Sequence, residues 1–141
     1  MLIRRPVAEV FEAFVDPEII SMFWFTRSSG RLEEGAEVRW EWEMYGFTIT
    51  ATVKAFVQNE RLLIEWPGQR SPSLFEVRFR PLEAGTFVEI KSFQFVGTGD
   101  EQVKEAIDSG EGFSFVLAGA KAFLEHGVRL NLVLDRFPKG A

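Results

Sequence analysis

The chain has 141 residues, 46% hydrophobic and 26% charged, which fits one globular domain and excludes collagen-like, coiled-coil and disordered chains. Its net charge of −5 argues against the basic face that nucleic-acid binding needs, so no nucleic-acid partner is expected. The absence of cysteine excludes disulfides, thiol catalysis and thiolate metal sites, and it suits a reducing, cytoplasmic setting.

In chain order, Leu2 to Arg4 reads as a short first strand. Pro6 suits the first position of a helix, where its missing N–H costs nothing, and Val7, Val10, Phe11 and Phe14 follow at helical spacing with Glu9 and Glu12 opposite. Arg4-Arg5 precedes a proline and a charged amphipathic segment rather than an apolar stretch, so no export is expected. Asp16-Pro17 starts a second short helix, with Asp16 as its cap and Pro17 in its first turn. Phe23-Trp24-Phe25 follows, then a polar run from Thr26 to Gly30 that reads as a loop.

From Ala36 the period becomes two. Val38, Trp40 and Trp42 alternate with Glu37, Arg39, Glu41 and Glu43, the pattern of a strand with one dry and one wet face. Tyr45-Gly46 turns the chain into Phe47 to Val57, with Phe47, Ile49, Ala51, Val53 and Ala55 on one side. Asn59-Glu60 turns it again into Leu62 to Trp66, stopped by Pro67-Gly68, and the strands Ser73 to Arg80 and Phe87 to Phe95 follow across Glu83 to Gly85. No helix interrupts these strands, so an antiparallel sheet of about six strands is predicted.

Thr98 and Glu101 have the spacing of a capping box and open a helix. Ser109-Gly110 is a second start signal, which leaves either one helix or a short helix followed by a long one. Phe113, Leu117, Ala120 and Leu124 mark the apolar face, Glu111, Lys121 and Glu125 the wet side, and Gly127 the end, just after His126. The uncharged run Gly112 to Ala120 is far short of the ~20 residues a membrane span needs, so no membrane partner is expected. Val128, Leu130, Leu132 and Leu134 in the last segment must pack on the domain or on a second copy, so a monomer and a homodimer both stand.

Val7-Ala8-Glu9-Val10-Phe11-Glu12-Ala13-Phe14, Asp16-Pro17-Glu18, Phe23-Trp24-Phe25 and Gly112-Phe113 together resemble the bacterial relatives of the activator of heat-shock-protein-90 ATPase, within the START-like (Bet v-like, helix-grip) superfamily. The resemblance covers nearly the whole chain. It departs at the start, where the first strand is shorter than usual and Arg5 replaces the Ala that usually precedes the helix proline; a truncated or misassigned start would leave the sheet short of edge pairing. The resemblance implies an α+β helix-grip domain over residues 1–141, a curved sheet wrapped around a long C-terminal helix, and a cavity between them for a small hydrophobic molecule. It also implies a stress-related or chaperone partner, with a cyclase or hydrolase using the same cavity as the alternative activity.

The residues themselves name candidates for that cavity. Fifteen Phe, four Trp and one Tyr either fill a core or line an apolar space. Trp24, Trp40, Trp42 and Trp66 are the candidate walls, with Phe113, Leu117 and Ala120 on the facing helix. Ser92 is the candidate polar contact, beside Tyr45, Gln94 and Ser114, while Arg39, Glu65, Glu89 and Lys91 alternate with apolar neighbours and read as solvated. Gly119, disfavoured in a helix interior by about 0.8–1 kcal/mol relative to Ala, serves either close backbone approach or room for a ligand. One histidine and no cysteine cannot build a His-rich metal site or a Cys/His nucleophile pair, and Glu33-Glu34 falls in a loop. No catalytic residue, metal or cofactor is therefore expected.

Overall fold

The computed structural model describes residues 1–93 and 95–141. The chain runs β1 (Leu2–Ile3), α1 (Val7–Val15), α2 (Pro17–Ile20), β2 (Arg27–Ser28), β3 (Glu37–Trp42), β4 (Phe47–Val57), β5 (Arg61–Pro67), β6 (Pro72–Leu82), β7 (Gly85–Phe93) and α3 (Gly99–His126). All strand pairs are antiparallel, in the order β1-β7-β6-β5-β4-β3-β2, so the fold is the predicted α+β helix-grip.

The seventh strand is β2, inside the segment read as a loop. Two residues are too few to show a period, and hydroxyl groups do much of the pairing: Thr26 Oγ1 donates to Glu41 O at 2.8 Å and Ser29 Oγ accepts from Arg39 N at 2.8 Å. At the other edge the short β1 does pair, with Leu2 opposite Phe87 and Ile3 opposite Thr86. Lys121 and Glu125, expected on the wet side of the helix, secure this edge instead. Lys121 Nζ donates to Leu2 O at 2.8 Å and pairs with Glu125, whose carboxyl it holds below the ordinary range. Alternation also fails in β4, where a bulge between Val53 and Ala55 shifts the register and turns Phe56 toward Phe11, 5.3 Å away.

Pro6 is the residue before α1 rather than its first position, whereas Asp16 caps α2 as expected, accepting from Glu18 N at 2.8 Å. The box at Thr98 is formed on both sides, Thr98 Oγ1 accepting from Glu101 N and Glu101 Oε2 from Thr98 N. α3 then continues unbroken through Ser109-Gly110 for 28 residues. Ending it there would orphan a full set of terminal backbone groups, which outweighs the small penalty of one glycine.

Candidate functional site

The concave side of the sheet is filled at one end and open at the other. At the filled end α1 inserts Phe11 and Phe14, whose rings meet Phe56, Phe79 and Phe23 edge-on at 5.1–5.5 Å. At the open end a second aromatic layer lies deeper: Phe25 stacks on Trp40 at 4.7 Å, and Trp24, Trp66 and Phe75 close over it. Above that layer the first half of α3 spans the mouth without contributing a buried side chain before Phe113.

A cavity of about 610 Å³ results. Its floor is Trp24, Trp66 and Phe113, with Trp66 and Phe113 nearly parallel at 5.8 Å and Trp24 edge-on to both. Trp42 and Phe47 form one side, and the β5–β6 loop at Pro67, Gly68 and Gln69 another. Gly68 is required in that loop, because a Cβ there would stand 2.3 Å from Ser71 O. Buried Ser73 backs the loop, while Glu105, Asp108 and Ser109 overlook it from α3. Arg70 ties the loop to the start of α3 through Glu101, whose carboxyl is held at about 2 first by this pairing and then by the Thr98 amide.

The remaining side is the tail after α3, which crosses the opening as a strap. Tyr45 Oη donates to Val133 O, and Arg136 pairs with Glu111 at 3.3 Å while its guanidinium lies over Phe115 and Phe137 at 5.5 and 5.0 Å. Val133, Arg136 and Phe137 thereby line the cavity.

Residues 4–125 match Activator of Hsp90 ATPase homolog 1-like protein. The chain belongs to this family. Among solved structures, a Staphylococcus saprophyticus protein is 33% identical over 92% of this chain and 91% of its own, with a TM-score of 0.79. DynU16, of the dynemicin biosynthetic locus, has a TM-score of 0.80 at 20% identity, covering 92% of this chain but 46% of its own. The Aha1 dimer from Colwellia psychrerythraea has a TM-score of 0.75 at 16% identity, over 90% of this chain and 93% of its own. At such identities the last two are similar in fold alone. No curated protein sequence matches the chain.

Within this family fold, the residues singled out in the sequence separate into two groups. Trp24, Trp42, Trp66 and Phe113 come together in the cavity wall. Trp40, only 1% exposed, lies behind Trp24 in the core, and Ala120, fully buried, sits further along α3 than the cavity reaches. Leu117 also stands outside the lining, because α3 turns Val116 inward in its place; Ser92, half-buried opposite Phe75 on β7, is outside it too. Tyr45 is in the wall, Ser114 bonds back to Gly110 O on the exposed face, and Gln94 lies outside the described residues. Gly119 serves close approach: a Cβ there would be 3.2 Å from Phe23 Cβ and 3.3 Å from Phe23 O. Periodicity had no means of reaching Gln69, Glu105, Asp108, Arg136 or Phe137, since none lies on an apolar stripe. The strap residues Val133, Arg136 and Phe137 lie beyond the family match, which ends at residue 125.

Two further expectations concern the surface. Val128, Leu130 and Leu134 remain exposed, with Leu132 half-buried, so this row packs only partly on the domain. Among the described residues no helix is long and apolar enough to cross a membrane.

Proposed function

We propose that this domain binds a small apolar molecule in the cavity between the sheet and α3. The observation that carries the reading is an aromatic-walled space of about 610 Å³ left open at one end of an otherwise filled interior. Ligand sites commonly measure roughly 300–1,000 Å³ and combine apolar walls with a few polar groups. Trp24, Trp42, Trp66 and Phe113 are the proposed contacts, with Ser73 and Gln69 among the polar groups of the lining.

Titration with the neutral dye Nile red tests the reading, followed by displacement with uncharged alcohols and by native mass spectrometry of the purified protein. Saturable dye binding that Phe113→Trp weakens by adding ring volume to the site is the expected result. No bound dye and no retained small molecule would end the proposal.

Family membership supports a second reading, docking on a chaperone. A pull-down with the organism's own chaperone and an ATPase assay test it, and absence of both binding and stimulation would remove it.

A further inference from the structure

The first half of α3 carries Asp100, Glu101, Glu105, Asp108 and Glu111 against a single cation, Lys104. Most of this charge has an evident structural role. Asp100 and Glu101 lie in the first turn, where the helix dipole favours anions, and Glu101 and Glu111 pair with Arg70 and Arg136. Glu105 and Asp108 lie past the first turn and form no direct ion pair with any described residue, Lys104 included; Glu105 acts only at longer range on Arg70, which Glu101 already holds. Three residues apart, they share one helix face, and both overlook the cavity.

The cation in the cavity lining, Arg136, is occupied. Its charge is met by Glu111 at 3.3 Å and by the faces of Phe115 and Phe137. The rings of Trp24, Trp66 and Phe113 line the same cavity, and aromatic faces attract cations. An anion entering this space would be repelled by the two carboxylates and gain nothing from aromatic faces. A cation would be attracted by both, and a neutral molecule would gain only apolar burial.

We propose that the ligand is an apolar molecule bearing a positive charge, an amine or quaternary ammonium, with its apolar body on Trp24, Trp66 and Phe113 and its charge at Glu105 and Asp108. This rests on the apolar-ligand reading above and narrows it to a chemical class.

A matched series of octylammonium, octanol and octanoate, titrated by tryptophan fluorescence and calorimetry near neutral pH and at low salt, tests it. The ammonium should bind about tenfold more tightly than the alcohol, as expected for a partly solvated charge pair reinforced by an aromatic face, and the octanoate more weakly than either. In the double variant Glu105→Gln/Asp108→Asn the ammonium's advantage over octanol should vanish. Octanoate binding as tightly as octylammonium, or the preference surviving in the double variant, would overturn the charge assignment and leave the apolar cavity standing. Binding of none of the three would overturn both.

Discussion

The Tyr45 hydroxyl donates a hydrogen bond to the carbonyl of Val133, 88 positions later in the chain. The contact joins the turn before β4 to the strap after α3, and the Phe137 ring lies edge-on to Tyr45 at 6.1 Å. Few and exposed contacts hold the strap, which makes it the part of the cavity wall that opens at least cost. Tyr45→Phe keeps the ring and removes the bond. Stability should fall by about 0.5–1.5 kcal/mol at most, and stopped-flow dissociation of a cavity-bound dye should speed up. An unchanged dissociation rate would mean that the strap does not limit access.

Gly119 and Gly110 lie on one helix and should respond oppositely to alanine. At Gly110 an added Cβ meets nothing within 4 Å, so helix propensity should stabilise the variant by about 0.8–1 kcal/mol. At Gly119 the Cβ would press on backbone and Cβ atoms of Phe23, and overpacking of about 1–3 kcal/mol should outweigh that gain. Urea unfolding of the two variants measures both signs.

Trp40→Ala should cost about 3–5 kcal/mol, because the indole is 1% exposed and stacked under Phe25. Phe47→Ala, at the rim and 55% exposed, should change stability by less than about 0.5 kcal/mol while weakening dye binding. Equilibrium unfolding and dye titration on the same preparations separate core from wall.

The Glu101 carboxyl should titrate near 2 rather than at its ordinary 4.5, held down first by Arg70 and then by the Thr98 amide. A depressed folded-state value means that the pair favours the folded state above the ordinary value and that this contribution fades as pH falls through about 2. Carbon-detected NMR of the carboxyl gives the midpoint, and Arg70→Ala should raise it part of the way back while the Thr98 contribution remains. A midpoint unmoved by that substitution would contradict the assigned cause.

Local rules made much of the architecture legible before any coordinates. Alternation at Val38, Trp40 and Trp42, the cap at Asp16 and the box at Thr98 each act within a few residues, so they specify strands, turns and helix starts wherever those fall. Residue type and periodicity together named Trp24, Trp42, Trp66 and Phe113, four aromatics of the cavity wall, yet they equally named Trp40, Leu117 and Ala120, because they tell inside from outside but not filled from empty. That distinction is tertiary. It depends on α1 reaching one end of the sheet with Phe11 and Phe14 and leaving the other end to the exposed half of α3. The bulge that turns Phe56 inward, the use of Gly119 for close approach and the closure of the wall by Tyr45, Val133 and Arg136 likewise join residues far apart in the chain. The sequence by itself determined the elements and their buried faces; the space between them was decided only when those faces met, since a cavity is what remains after packing and has no residue of its own.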